Sequence, residues 1–316
     1  MITNERIVNY EKSLSSKSRL KDKLAETFLM FIGSFTFFIL VLIFVFLLSE
    51  TIDGLKYISF DTFFYSDKGD SFRWNPTGKD PHYSVIPLLA GSLLTALPAT
   101  VLSAFFGICI GVYISEIANY KLKEVLKPFL DFFNGIPTVV LGFLLVILGS
   151  TFFGDLLDLS NRLNAFLASI GLSIIIIPTI ATLTEDALNA VPNNIRLAAY
   201  SLGANKWQTV YKVLLPIAIK GATAGLVLGF GRAIGETMIV IMATGNAGEL
   251  TFNIFKSVRT LTATIAAEMG EVSQYSAHYY ALFFIGLVLF IVTFLLNLIS
   301  DLIIRKAKKG MNNDEQ

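Results

Sequence analysis

The sequence predicts an all-α, polytopic membrane protein with six transmembrane helices, and three observations carry that prediction. Hydrophobic residues make up 54% of the 316-residue chain and charged residues only 16%, where a soluble domain carries about 25% charged residues. Six apolar runs, about 27–48, 87–115, 129–150, 164–184, 217–243 and 279–303, each reach the roughly 20 residues that a helical span needs. The basic residues also alternate along the chain. The N-terminal leader, the 116–128 loop, the 185–220 loop and the tail after Leu302 hold 17 of the 25 Lys and Arg. Under the positive-inside rule both termini are then cytoplasmic. The net charge of +1 says nothing about partners, because in a membrane protein the placement of charge outweighs its sum.

The first apolar run follows a basic leader with Arg6, Lys12, Lys17, Arg19, Lys21 and Lys23, within a cytoplasmic segment at 1–26. At 27–48 it exceeds the apolar core of a signal peptide, about 7–15 residues, and reads as an uncleaved first transmembrane helix. The external segment 49–84 is acid-rich (Asp53, Asp61, Asp67, Asp70, Asp80), and its Gly, Pro and aromatic residues suit a small ordered excursion. The main transmembrane domain covers 85–303, and 304–316 forms a cytoplasmic tail. Pro98, Pro137 and Pro178 fall inside the second, third and fourth spans, where each is expected to kink or interrupt the helix. A short external turn near Asp155 to Arg162 joins the third and fourth spans, and Asn246 to Ala277 joins the last two.

The cytoplasmic loop at 185–217 is too long for a plain connection. Pro192 to Leu202 and Lys206 to Leu215 read as short amphipathic helices, with Pro at the start of the first, where a missing N–H costs nothing. Gly203 is the expected break between them and Pro216 the expected end of the second. Such a pair is either a docking element for a cytoplasmic partner or an amphipathic loop lying on the membrane surface.

Inside the fifth span stand Arg232 and Glu236. Charges within a span are costly, face the protein interior and usually mark a substrate or ion pathway. At 100° per residue, Gly221, Gly225, Gly229, Arg232 and Glu236 fall within an arc of about 80°. Small residues at four-residue spacing let helices approach closely in lipid, so this stripe is expected to face another subunit, with Glu236 partly neutralising Arg232. The pair reads either as part of a pathway for an anion or as structural glue between spans. Asp131, Asn134 and Thr138 either line an exit or are interfacial polar residues. Glu116, Glu185 and Asp186, at membrane edges, are expected to be solvated.

Two motifs carry a family resemblance. Leu197-Ala198-Ala199-Tyr200-Ser201-Leu202-Gly203, followed after nine residues by Val213-Leu214-Leu215-Pro216, resembles the EAA loop of ABC importer permeases, with Leu197 in place of the Glu and Val213 in place of the Ile. Gly231-Arg232-Ala233-Ile234-Gly235-Glu236-Thr237-Met238 is similar to a segment of the phosphate (Pst-type) permeases. Leu261 to Glu271 looks like part of their C-type subunit, and the likeness extends over roughly residues 85–303. It implies the type I ABC importer permease fold. It implies that Ala198, Ala199, Gly203, Leu215 and Pro216 couple to an ATPase, and that Arg232, Glu236 and Thr237 lie on the path of phosphate. The implied partners are a second permease subunit of A type, two ATP-binding cassette subunits carrying ATP-Mg, and an extracytoplasmic phosphate-binding protein. The implied location is the plasma (inner) membrane of a prokaryote, in contact with lipid. Sulfate, molybdate or tungstate permeases are the nearest alternatives. An ion-coupled secondary transporter would instead show internal repeats with broken helices and no coupling loop, and the mid-span charges count against a structural scaffold.

The sequence holds no P-loop, nucleophile elbow, zinc motif or flavin fingerprint, so no catalytic residue, cofactor or metal site is expected in this chain, and no nucleic-acid partner. His82 and His278 have no neighbours at metal-ligand spacing. The single cysteine, Cys109, lies in an apolar stretch and is expected to be a small buried hydrophobe.

Overall fold

The structure is a computed structural model and describes residues 16–65 and 72–313. Arg6, Lys12, Asp67 and Asp70 of the leader and the acidic excursion lie outside the described residues. Among the described residues five helices are long and apolar enough to cross a membrane, and a bent pair passes only as a sixth. The chain divides into two units, one up to Glu50 and one from Thr51 onward. The described residues of the first unit all belong to helix α1 (Ser16–Gly54), whose apolar side chains from Phe28 to Phe38 are exposed. The stretch of it able to cross a membrane is Lys23–Gly54, longer than the run at 27–48.

The second unit opens with a 3₁₀ turn at Phe60–Phe63 and a short antiparallel hairpin, β1 (Trp74–Asn75) with β2 (His82–Tyr83), in the register Trp74 to Tyr83. The excursion at 49–84 is therefore ordered where it is described. Helix α2 (Ile86–Ile117) closes on a wide π turn at Tyr113–Ile117. Helix α3 (Tyr120–Gly135) is capped by Asn119, whose side chain accepts the Leu122 N–H at 3.0 Å. Helix α4 (Thr138–Leu156) follows, then α5 (Ala165–Asn189), capped in the same way by Asn164. These Asn caps satisfy N–H groups that a helix start leaves unpaired. Helices α6 (Asn193–Ser201) and α7 (Lys206–Thr209) form the long loop. They lead through a π turn at Val210–Leu214 into α8 (Leu215–Gly235). The short α9 (Met238–Ala243) and α10 (Leu261–Glu268) precede the last span, α11 (Ala277–Asn313).

Helix α5 is the centre of the bundle. Leu167, Leu172, Ile175, Ile176 and Ile180 are buried against Ala96 and Ala99 of α2, Ala233 and Ile234 of α8, and Ile239 and Val240 of α9. Burial of each large aliphatic side chain contributes about 1.5–3 kcal/mol when the alternative is water. Against lipid the gain comes instead from close packing.

Several expectations are corrected by the backbone. The third span does not run from 129 to 150. Gly135 ends α3, and Ile136 is extended (φ −66°, ψ 126°) before Pro137, because the proline ring disfavours helical geometry in the preceding residue. The span restarts at Thr138. Pro98 and Pro178, by contrast, sit inside uninterrupted helices. Pro216 does not end a helix: it stands in the first turn of α8, where it removes no intrahelical hydrogen bond. The real bend, 59°, falls between the stretches Lys206–Ile219 and Gly221–Gly235. The fifth span also stops short of 243. Gly235 is the last residue of α8, and Glu236 is extended (φ −71°, ψ 134°). Cys109 lies on an exposed helix face rather than in the core.

Part of the connection 246–277 enters the bundle. The Leu261 N–H donates to Ser92 Oγ (3.1 Å), and the Thr262 hydroxyl donates to the carbonyl of Glu236 (2.8 Å). Residues Leu261 to Thr264 are therefore buried inside the bundle, next to the break at Glu236. A polar cluster holds α10 at its other end. Glu268 accepts from Trp74 Nε1 (2.9 Å), pairs with Arg259 and lies 2.8 Å from His278 Nε2. His278 thus has a carboxylate partner that sequence spacing does not reveal, and no metal-binding group occurs among the described residues.

Candidate functional site

Arg232 sits three residues before the end of α8, and the chain breaks immediately afterwards. Glu236 therefore does not continue the helical face of Arg232. Its carboxylate turns to the next helix and accepts the Met238 N–H at 3.0 Å, one of the amides that a helix start leaves without an intrahelical partner. No ion pair joins the two side chains, contrary to the expected neutralisation. Arg232 Nη1 instead donates to Thr179 Oγ1 at 3.0 Å and to Asn134 Oδ1 at 3.3 Å. The Thr179 hydroxyl in turn lies 3.5 Å from Asn134 Oδ1. Among the described residues no carboxylate pairs with Arg232.

Five elements, α3, α4, α5, α8 and α9, meet around these breaks for identifiable reasons. Asn134 is presented at the end of α3, two residues before the break at Ile136–Pro137. Thr179 follows Pro178 on α5. The segments that restart after each break, α4 and α9, pack on each other, with Gly142 against Met242 Sδ and the Met238 carbonyl. Thr237 stands between Glu236 and α9, half-buried, and its carbonyl accepts the Ile241 N–H (3.0 Å). Arg232, Glu236 and Thr179 are half-buried and Asn134 is exposed, so the cluster is open on one side.

Chemically this is an unneutralised guanidinium held by neutral oxygens. It has five N–H donors in one plane, and the two hydrogen bonds described use only Nη1. The remaining donors suit the planar, bidentate recognition of a carboxylate- or phosphate-like group. Asn134 was legible as a polar residue near the end of a span. Thr179 was missed, and a hydroxyl next to an intrahelical proline was the available signal.

The glycine stripe does not face another subunit. A methyl group at Gly221 would stand 2.6 Å from Ala187 Cβ, one at Gly225 3.1 Å from Leu183 Cβ, and one at Gly229 2.7 Å from Ile176 Cγ2. All three contacts are with α5 of the same chain. The stripe seats α8 on the bundle's central helix, and it brings Arg232 to the side of Thr179.

In the long loop Gly203 has φ +82°, a left-handed conformation that glycine adopts without cost, and it separates α6 from α7. Asn205 and Gln208 form a reciprocal capping box at the start of α7. Ala199 is buried, Leu215 half-buried, and Ala198 and Pro216 exposed. Around them Leu197, Leu202, Trp207 and Tyr211 are exposed, Leu202 by 90%. Large apolar side chains displayed together on a short helical pair mark a surface for contact with a protein or a membrane.

Residues 107–311 match the family described as binding-protein-dependent transport system inner membrane component. The chain is 36% identical over 225 residues to the probable ABC transporter permease protein YqgH of Bacillus subtilis, covering 71% of this chain and 73% of that protein. It is 31% identical over 322 residues to the phosphate transport system permease protein PstC of Pasteurella multocida, covering 94% and 97%. Among solved structures, a chain of a bacterial alginate ABC transporter, crystallised in complex with an alginate pentasaccharide-bound periplasmic protein, superposes with a TM-score of 0.61. It covers 91% of this chain and 98% of that one at 14% identity, which is a likeness of fold.

Proposed function

Since the chain belongs to the family of binding-protein-dependent transport system inner membrane components, we propose that it is a permease subunit of an ATP-driven phosphate importer. The observation that carries the reading is the Arg232 cluster. A guanidinium with neutral hydrogen-bond partners, at a double break in the helices, is suited to meet a tetrahedral oxyanion as its counter-ion. The similarity to a phosphate permease over nearly the whole chain supports phosphate over sulfate, molybdate or tungstate.

In this reading both termini and the α6–α7 pair are cytoplasmic, as the distribution of basic residues requires. The protein resides in the plasma (inner) membrane of a prokaryote. Leu202, Trp207 and Tyr211, with Ala198, Ala199, Gly203, Leu215 and Pro216 shaping the support beneath them, dock into a groove of an ATP-binding cassette subunit. Two such subunits carry the ATP-Mg, and this chain performs no hydrolysis. A second, A-type permease completes the pathway on the open side of Arg232, and an extracytoplasmic phosphate-binding protein delivers the anion. ATP-driven closure of the cassettes moves α6 and opens the Arg232 region to the loaded binding protein. Release follows because a single cation, itself engaged by two neutral acceptor oxygens, holds the anion only moderately, and permeation needs binding that is favourable but escapable.

The test is reconstitution with the partner subunits and comparison of labelled phosphate uptake by wild type and Arg232→Ala. The reading requires loss of uptake in an intact complex. Unchanged uptake removes Arg232 from the pathway.

A further inference from the structure

Glu116 and Glu185 were expected at the membrane edge as solvated acids, and both are buried and paired. The Glu116 side chain is 10% exposed and the Glu185 side chain 5%. Their partners form one continuous polar network, and its hub is Arg196 on α6.

The Arg196 guanidinium uses all three of its nitrogens. Nη2 donates to Glu116 Oε1 at 2.6 Å and to the Leu188 carbonyl at 2.8 Å. Nη1 donates to the Val191 carbonyl at 2.6 Å, and Nε reaches Glu116 Oε2 at 3.5 Å. Leu188 lies in the last turn of α5, where helix carbonyls have no partner within the helix and where a cation meets the negative end of the dipole. Glu116 lies in the π turn that ends α2. Such turns widen the backbone locally and recur at functional positions. One side chain from the loop helix thus grips the ends of α2 and α5 together.

The network continues away from the hub. The Ser115 hydroxyl donates to Asn189 Oδ1 (3.0 Å), and Asn189 Nδ2 donates to Glu185 Oε1 (3.3 Å). Glu185 pairs with Lys127 of α3 at 2.6 Å, and Lys123 of the same helix donates to the Ser115 carbonyl at 2.6 Å. Beneath it Leu188, Val191, Val210, Leu214 and Ala218 form a separate apolar cluster that also engages Val112 and Ile195. The exposed apolar side chains of α6 and α7 have no comparable hold on the spans. A push on them is transmitted through what fixes α6 to the bundle: Ile195 in this apolar cluster, and Arg196, its only charged grip on the ends of α2 and α5 among the described residues.

We propose that Arg196 is the positioning residue through which the loop helix and the ends of α2 and α5 move as one piece, so that displacement of α6 reaches the spans instead of being absorbed by the connecting turns. The inference rests on the docking role given to α6–α7 above. It is independent of which anion is carried.

The test uses the assembled transporter with Cys109→Ser as parent, because Cys109 is exposed. The Arg196→Cys/Glu116→Cys double variant is reconstituted, and anion moved per ATP hydrolysed is read before and after a short, reducible bis-methanethiosulfonate linker joins the two positions, each thiolate displacing a sulfinate to form a disulfide. Phosphate is the probe, or sulfate should the wild-type complex carry that instead, which would fail the phosphate reading and leave the joint testable. The unlinked variant is expected to lose about tenfold in this ratio, a typical coupling loss, and the linked form to recover to within about twofold of the parent. A parental ratio without the linker, or no recovery with it, overturns the proposal. Arg196→Lys and Glu116→Gln cover the case in which the double variant does not assemble. Each keeps size but breaks the two-pronged grip, and each is expected to lower the ratio about threefold. An unaltered ratio in both overturns the joint.

Discussion

Thr179→Val removes the shorter of the two hydrogen bonds on Arg232 while keeping the side chain's shape. The bond is 3.0 Å long and made to a charged donor, a class that contributes about 1.5–3 kcal/mol when buried. The group is half-buried, so solvent screening reduces this to about 1 kcal/mol. That corresponds to about a fivefold change in an equilibrium or rate. The delivering binding protein would set the apparent affinity for the anion, so the effect belongs in turnover. Uptake of labelled phosphate at saturating loaded binding protein should fall about fivefold, with unfolding temperature and co-purification of the cassettes unaltered. Thr179→Ser, which keeps the acceptor oxygen, should restore most of the rate. Equal uptake by the valine variant and wild type would refute the argument that Thr179 holds the guanidinium in its working position.

Other perturbations test neighbouring parts of the account. Gly229→Leu would drive a side chain into Ile176 and Ile180. Overpacking costs about 1–3 kcal/mol, so the detergent-solubilised protein should unfold several degrees lower, and an unchanged transition would contradict the packing of α8 on α5. Glu236→Ala removes the acceptor of the Met238 N–H, a hydrogen bond of about 1 kcal/mol, whereas Glu236→Gln retains an acceptor and should be milder in the same measurement. Leu202→Asp and Trp207→Ala should sharply reduce retention of the ATP-binding cassette subunits on affinity purification without lowering the unfolding temperature. The Lys127 ammonium is held above its ordinary value, first by the hydrogen bond to Glu185 and then by the Coulombic attraction of the same carboxylate. Its folded value is raised, so the pair's contribution is fully present below the ordinary lysine range, about 10.4, and is lost as pH rises through the folded value. Wild type and Lys127→Met should therefore differ in unfolding temperature at pH 8 and converge in strongly alkaline buffer.

Composition and apolar run length sufficed for the polytopic, helical class and the approximate place of most spans, because crossing a bilayer imposes length and satisfied backbone hydrogen bonds on any sequence. The loop pair was legible for a local reason as well: Pro192 and Gly203 are short-range signals that act within a few residues. The breaks at Ile136–Pro137 and at Glu236 were not, since each lies inside a run that is apolar on both sides. Helical periodicity placed Arg232 and Glu236 on one face only on the assumption that α8 continues past Gly235. The partners that replace Glu236, Thr179 and Asn134, are 53 and 98 residues away, beyond any spacing rule. The same holds for Arg196 with Glu116 and for His278 with Glu268, where long-range packing decides which charges meet.

The central claim is that the Arg232 cluster passes a tetrahedral oxyanion, and phosphate above the others. It is tested most directly by reconstituting the chain with its partner subunits and binding protein and measuring ATP-dependent uptake of labelled phosphate, sulfate and molybdate side by side, in wild type and in Arg232→Ala. The account predicts phosphate uptake by wild type in clear excess of the other two anions, and loss of that uptake in an Arg232→Ala complex that still assembles. Preferential uptake of sulfate or molybdate, or phosphate uptake that survives the loss of Arg232, would contradict it.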